Sequence, residues 1–329
     1  MSKFSALQAR ESAAGGFEQV IVQRDIDDLP AGELLIRVKY SSLNYKDALS
    51  ASGNRGVTKS FPHTPGIDAA GVVEASSVAE FSAGDEVIVT GYDLGMNTSG
   101  GLAQYIRIPA SWALKRPKGL SLREAMVLGT AGLTAALCVD KLEQSGLTPD
   151  AGTVLVTGAT GGVGSVAVAL LTTLGYRVAA STGKAEQADY LKALGAQQIV
   201  LRAELQDGTD KPMLKEQWAG AVDCVGGDIL FNEVKSLRYG ASVACCGLTA
   251  GVGFKGSVLP FILRGVNLLG VDSVELPLVV KASMWDKLSL QWKVKLDALV
   301  TEVTLEQLPD AIAQILAGKQ VGRVLVNLG

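Results

Sequence analysis

One stretch limits the possible folds of this chain more than any other: "TVLVTGATGGVGSVAVALL", residues 153–171. A short apolar strand runs into glycines at Gly158, Gly161, Gly162 and Gly164, and the chain leaves them as an apolar helix. Glycines spaced this way are informative only at a strand-to-helix turn, where they form the fingerprint of a dinucleotide-binding loop. The physical reason is access. Glycine lets the backbone approach a pyrophosphate, and a helix N-terminus from about Gly162 offers free N–H groups and the positive end of its dipole. Ala159 and Thr160 stand in the turn itself, and Val163 lies in the first helical turn.

The flanking sequence repeats the theme. From Gly152, apolar runs ("YRVAAS", "QQIVL", "AGAVDCVGG", "ASVACCG", "VNLLGVDS") alternate with helical patterns, and the runs are too apolar to have a wet face. That argues for an α/β domain, a doubly wound parallel sheet covered on both sides. The first 124 residues differ, with short β-type runs ("ELLIRVKYSSL", "AAGVVEA", "GDEVIVTG", "AQYIRIP") broken by glycine and proline, as in a partly open barrel or sandwich. After Ser273 the chain turns helical and closes on "GRVLVNLG", which reads as a strand returning to the N-terminal β domain. The expected organisation is a β domain of residues 1–124 and 274–329 with a nucleotide-binding domain, 125–273, inserted in it. A length of 329 residues suits two domains, since single cores stop growing at about 250–300 residues.

Several classes of partner are disfavoured. Thirty basic and thirty-three acidic residues give a net charge of −3 without a basic block, so nucleic acid is not expected. The longest nearly uncharged segment, "AMVLGTAGLTAALCV", is shorter than the ~20 residues that span a bilayer and reads as a buried helix. No membrane association is expected. Cys138, Cys224, Cys245 and Cys246 match neither a disulfide framework nor a CxxC zinc pattern, and the N-terminus lacks an apolar signal-peptide core, so a cytoplasmic location is expected.

About twenty residues after the glycines, where an NAD-binding domain carries an acid for the ribose hydroxyls, this chain has Ser181, Thr182, Gly183 and Lys184. Two hydroxyls, a glycine and a cation suit a 2′-phosphate, so the expected cofactor is NADPH. Arg202 is either a second cation at that end or a solvated surface charge.

The strings "SSLNYKDALS", "FPHTPGIDAAG", "GTAGLTAALCV", "VTGATGGVGSVAVALL", "WAGAVDCVG" and "LPFILRGVNLLGVDSV" resemble the NADPH-dependent acrylyl-CoA reductase family, in the zinc-free, quinone-oxidoreductase-like branch of the medium-chain dehydrogenase/reductase superfamily. The resemblance runs the length of the chain. It implies a Rossmann sheet inserted in a GroES-like β domain, a homodimer, and reduction of the 2,3 double bond of acryloyl-CoA, a small-molecule enoyl-CoA substrate, to propanoyl-CoA. It also implies the absence of metal. Gly66-Ile67-Asp68 stands where zinc relatives carry Gly-His-Glu, Asn44 stands near their cysteine ligand, and "TGYDLGMNTSGG" lacks the four cysteines of a structural zinc lobe. His63, the only histidine, reads as a partly exposed residue before a proline turn.

By the same resemblance "SSLNYKD" and "GIDAAG" line the nicotinamide cleft, which makes Asn44, Tyr45 and Asp68 the candidate catalytic residues. Asn44 would orient or polarise a carbonyl; Tyr45 would stack on the nicotinamide, hydrogen-bond near it or donate a proton. Burial would fit Asp68 for general-acid work unless a cation, with Lys46 as candidate, or backbone donors hold it ionised. Further implied cofactor contacts fall on Thr130, Cys246, Gly247, Leu248, Ile262, Ser273 and Arg323, the last being otherwise a cap on the final strand. Cys246 has no histidine to activate it and reads as a small buried residue. Arg55 and Lys59 are candidates for the CoA diphosphate. An NADPH quinone or alkenal reductase, and a non-enzymatic NADPH sensor, remain alternatives.

Overall fold

Burial decides register in the N-terminal strands, because a slip of one residue would turn every apolar side chain to the wrong face. The computed structural model describes residues 3–295 and 297–329. Strand β1 (Lys3–Glu11) buries Phe4, Ala6, Leu7 and Ala9 and pairs antiparallel with β2 (Phe17–Asp25). In β3 (Leu34–Leu43), Leu34, Ile36 and Val38 point inward, and the buried trio Ser41, Ser42 and Leu43 leads into the short helix α1 (Tyr45–Ala51). Antiparallel to β3 runs β4 (Asp68–Ser76), followed in the sheet by β5 (Glu86–Thr90); β6 (Tyr105–Ile108) pairs with Leu34–Arg37 of β3, and β7 (Ala113–Lys115) pairs with β5. Asp68 therefore opens β4 beside the buried serines of β3.

The apolar stretch expected as a buried helix lies in α2 (Leu122–Gln144). It is long and apolar enough to cross a membrane by length and composition, but nearly all of it is buried inside the protein. It kinks at Gly129, whose φ of 53° and ψ of −157° interrupt the helical ladder.

Two compact units result: Met1–Thr130 with Val274–Ser289 and Leu299–Gly329, and Ala131–Ser273 with Leu290–Ala298. The second unit is built on β8 (Thr153–Val156), α3 (Gly162–Thr173), β9 (Arg177–Thr182), α4 (Ala188–Ala193), β10 (Gln198–Leu201), β11 (Gly220–Asp223), α5 (Gly227–Ser236), β12 (Ser242–Cys245), α6 (Leu259–Arg264) and β13 (Asn267–Gly270). Its six strands are all parallel in the order β10-β9-β8-β11-β12-β13. The order reverses between β8 and β11, and in such sheets the crevice beyond the strand ends at the reversal receives the ligand. Val154, Leu155, Val156, Val178, Ala179 and Ala180 are fully buried on these central strands. Each buried valine or leucine contributes about 1.5–3 kcal/mol, so the sheet sandwiched between helices carries much of the unit's stability. By contrast β13 is a sheet edge, largely exposed, and the segment before it in sequence exposes Val258, Ile262 and Leu263.

The chain then re-enters the first unit through α7 (Leu278–Ser289), β14 (Val300–Val303), α8 (Leu308–Leu316) and β15 (Arg323–Asn327). Lys281 anchors α7: its buried Nζ donates to Thr90 O at 2.6 Å and Val274 O at 2.8 Å and lies 3.4 Å from the centre of the Tyr92 ring. The closing strand β15 pairs antiparallel with Tyr40–Leu43 of β3, which places Arg323 at the end of β3 that leads to Asn44.

Candidate active site

In the first unit a buried carboxylate gathers the polar residues. Asp68 has no exposed surface and receives hydrogen bonds from Ser42 Oγ (2.5 Å), Asn44 Nδ2 (2.8 Å), Thr130 Oγ1 (2.6 Å) and the Thr130 N–H (2.9 and 3.0 Å). Those donors come from β3, from the residue before α1 and from α2, so one side chain pins three elements together. A carboxylate is the acceptor such a donor set requires. The α2 kink makes it possible: a side chain at Gly129 would collide with Ser42 Oγ and sit 2.6 Å from Asp68 Oδ2, and its φ of +53° suits glycine. Only a glycine lets the Thr130 N–H turn onto Asp68.

Asn44 is held from every side. Its Nδ2 reaches Asp68 and also Asp47 Oδ2 at 3.2 Å, while its Oδ1 accepts from Arg323 at 3.3 Å. That is the amide orientation that sets donors against acids and the acceptor against the guanidinium. Asp47, at the third position of α1, accepts from the Asn44 N–H (2.8 Å) and the Ile67 N–H (2.9 Å), tying the helix start to the residue before β4. It is fully buried, and burial, followed by the neighbouring Asp68 charge, pushes it up to about 7 against the pull of its donors. Asp47 and Ser42 were not singled out from sequence; an asparagine followed three residues later by an acid is a helix-start spacing that points to Asp47.

Tyr45 is the exposed member of the set, at 44% of its surface, and follows directly on the immobilised Asn44. Arg323 is 2% exposed and donates from Nε to Val127 O at 2.9 Å; burial pushes it below its ordinary value while Asp68 and Asp47 pull it back up. Arg323, not Lys46, is therefore the cation for Asp68: Lys46 Nζ faces Met96 instead, at 4.0 Å from its sulfur. His63 is buried rather than partly exposed, with Nε2 2.9 Å from Gly95 O, and burial pushes its pKa down. Arg55 is paired with Glu11 at 2.8 Å, while Lys59 is exposed. Among the described residues, no three His, Cys, Asp or Glu side chains are grouped to hold a metal ion.

In the second unit the glycine loop follows β8, and α3 begins at Gly162, as its sequence implied, with no side chain capping it. The first N–H groups of a helix have no acceptor within it, so Gly162, Val163 and Gly164 present donors at the strand-order reversal. The turn is tight: Gly158 has φ +59°, and a side chain on Gly164 would collide with Gly158 O. This cradle fits a dinucleotide diphosphate. Thr160 and Thr182 are buried, their hydroxyls 3.5 Å apart, and Thr182 Oγ1 accepts the Lys184 N–H at 2.9 Å, so these hydroxyls shape the turn after β9. Beyond that turn the side chain of Arg202 packs against Gly183. Burial and then the repulsion of Arg202 lower Lys184, and only Glu186 raises it. Two cations held together where a ribose phosphate would sit fit NADPH.

Of the other expected contacts, Ser273 is buried and accepts from Thr134 at 2.7 Å, whereas Leu248 and Ile262 are exposed. Gly247 stands against the Cys224 backbone, and Cys246 is partly exposed rather than buried, its sulfur 3.9 Å from that of Cys224.

Known proteins carry the same two parts. Residues 30–118 match the alcohol dehydrogenase GroES-like domain, and residues 162–289 match the zinc-binding dehydrogenase family. The chain is 49% identical to the putative quinone oxidoreductase YhfP of Bacillus subtilis and 46% identical to the acrylyl-CoA reductase AcuI of Ruegeria pomeroyi, each over 99% of both chains. The YhfP structure with NAD bound superposes with a TM-score of 0.96 at 48% identity over the full length of both chains. The yhdH oxidoreductase of Salmonella enterica in complex with NADP also gives 0.96, at 43% identity over 99% of this chain and 100% of that one.

The raised Asp47 makes stability depend on pH. Its folded value, about 7, lies above the ordinary 3.8, so its contribution is complete below the latter and is lost as pH rises through about 7. At roughly 1.4 kcal/mol for each pH unit separating the two values, that loss reaches at most about 4 kcal/mol. Denaturant unfolding from pH 4 to 8 should show the fall, and Asp47→Asn should flatten it; an unaltered slope in the variant would exclude Asp47 as the source.

Proposed function

The chain belongs to the acrylyl-CoA reductase family, in the quinone-oxidoreductase-like branch of the medium-chain dehydrogenases/reductases, and on that premise we propose that it uses NADPH to reduce the 2,3 double bond of acryloyl-CoA to propanoyl-CoA. The observation that carries this reading is the largely buried cluster of Asp68, Asn44, Asp47 and Arg323, with the exposed Tyr45 next to Asn44; by the family resemblance, Asn44 stands near the cysteine ligand of the zinc relatives. An enoyl thioester is already polarised by its carbonyl and needs donors rather than a Lewis acid.

When bound, the nicotinamide supplies the hydride that the β-carbon takes. The protein's part is then binding, orientation and the fate of charge and proton. Gly162, Val163 and Gly164 would hold the diphosphate on their N–H groups; Lys184 and Arg202 would hold the 2′-phosphate. Tyr45 would meet the enolate oxygen or pass a proton to the α-carbon; that it is exposed and carries a hydroxyl donor supports this reading. Asn44 and Asp68 act through it. The amide hydrogens of Asn44 are engaged by two carboxylates, and both Asp68 oxygens already accept donors. Asp68 is thereby assigned a positioning role in place of general-acid work. Lys59 is the CoA candidate whose charge is not met by the Glu11 pairing that engages Arg55.

A quinone reductase would share the cofactor and hydride path, and a relative at 49% identity carries that name. An NADPH sensor would have no use for the Tyr45 cluster. We also infer a cytoplasmic homodimer, the first from four unbridged cysteines and the second from the exposed apolar edge at β13, which pairing across a twofold axis would cover.

Three measurements test these readings. Steady-state oxidation of NADPH should favour acryloyl-CoA over a quinone, and Tyr45→Phe should lower kcat about 100-fold, the scale of lost proton-transfer catalysis. Quinone turnover equal to or above that of acryloyl-CoA sinks the substrate assignment. Lys184→Ala should weaken NADPH about 10- to 100-fold, the loss of one charge-assisted bond of ~1.5–3 kcal/mol, while NADH affinity stays the same; equal loss for both would remove the phosphate contact. Sedimentation should give the mass of two chains, and a single-chain mass refutes the dimer.

A further inference from the structure

Three of the four cysteines converge at the end of the parallel sheet where the glycine loop lies. Asp223 and Cys245 are paired across β11 and β12, so Cys224 and Cys246 are the next residues on adjacent parallel strands. The backbone is already locked there: the Cys246 N–H donates to Asp223 O at 2.9 Å. Neighbouring strands run ~4.8 Å apart, inside the ~4.4–6.8 Å that the α-carbons of a disulfide occupy. The two sulfurs are 3.9 Å apart, and closing to bonding distance, about 2.05 Å, needs side-chain rotation and little backbone movement. Cys245 packs with Phe231 and Val243 in a separate apolar cluster and takes no part.

We propose that Cys224 and Cys246 form a reversible thiol–disulfide pair, a modification site at the nucleotide end of the sheet. Both residues are partly exposed, whereas Cys138, the third sulfur of the group, is buried. The Cys246 sulfur lies 3.3 Å from Asp223 O, to which its thiol donates, and 3.9 Å from the Cys224 sulfur; its hydrogen bonds with Cys138 and Cys224 push it down to about 4, while their own values are pushed up. Cys246, which touches Cys224 on the adjacent strand, is assigned as the attacking sulfur and Cys224 as the resolving thiol. With a peroxide as oxidant, the Cys246 sulfur attacks one oxygen, the O–O bond breaks, and the sulfur becomes a sulfenic acid as the other oxygen leaves as water. Cys224 then displaces the hydroxyl as a second water. In sum, two thiols and one hydrogen peroxide give one disulfide and two waters, and a dithiol reverses the step.

The pair abuts the loop proposed to hold NADPH. A side chain built on Gly158 would lie 3.3 Å from the Cys224 β-carbon, and one on Gly247 would collide with Cys224 O. Closing the bond therefore alters the floor of that loop, and bound NADPH shields the sulfurs; this second consequence rests on the NADPH reading, which the first does not need.

The test uses the whole protein, reduced, treated with hydrogen peroxide at neutral pH, alkylated and mapped by mass spectrometry. The expected result is a single link between the peptides of Cys224 and Cys246, a fall from four free thiols to two, and full recovery with dithiothreitol. NADPH at about ten times its dissociation constant should slow the link about tenfold. Cys224→Thr should leave Cys246 trapped as sulfenic acid, detectable with a dimedone probe. A link through Cys138, or Cys246 oxidised to sulfinic acid with Cys224 still free, overturns the pairing. An unchanged rate in saturating NADPH, with NADPH binding shown separately by fluorescence on the reduced protein, overturns its placement at the nucleotide site.

Discussion

The first unit depends on one carboxylate with no exposed surface. Asp68 sits fully buried at the head of β4, and an unpaired charge there would cost several kcal/mol, so the surrounding backbone is arranged to supply donors. Ser42 comes from β3, Asn44 from the start of α1, and Thr130 from a helix that breaks its own ladder at Gly129 to turn an N–H inward. Oδ2 accepts from Ser42, Asn44 and the Thr130 N–H, and Oδ1 from the Thr130 N–H and hydroxyl, so the carboxylate ties these residues together as a unit. Arg323, arriving on the last strand, completes the charge balance from the other end of the chain.

A second carboxylate makes the arrangement sensitive. Asp47 shares Asn44 with Asp68, and two acids that close in a dry environment resist being ionised together. The strain falls on Asp47 rather than on Asn44, whose amide stays fixed between acids and guanidinium. Tyr45 is the adjacent residue, so its backbone position inherits that rigidity while its side chain stays exposed. A rigid support beneath an accessible phenol suits chemistry that needs orientation more than charge.

The second unit is built differently, and the glycine loop at the start of its α3 offers backbone N–H groups with no side chain capping them. Its six parallel strands in the order β10-β9-β8-β11-β12-β13 bring the glycine loop, the residues after β11 and the residues after β12 to the same end of the sheet. Sequence separations of 60 residues or more, as from Gly158 to Cys224 and Cys246, vanish there. The same convergence that makes a crevice for a cofactor packs sulfurs against one another.

Much of this was legible in advance. The glycine turn, the alternating apolar runs and the returning final strand announce themselves through local rules, because backbone sterics and side-chain periodicity act over a few residues; hence Gly162 opens α3 and β15 joins β3. Lys184 and the absent acid after β9 could likewise be read locally. Other features could not. That Asp68 takes its cation from Arg323 and not Lys46, that His63 is buried, and that Ser42 and Asp47 belong to the site depend on which distant elements pack together. Sequence determined the pattern of elements and the chemistry available to each. Only the tertiary structure decided which polar groups lost their water together, and burial, which no local pattern records, is what turns a scatter of polar residues into a site.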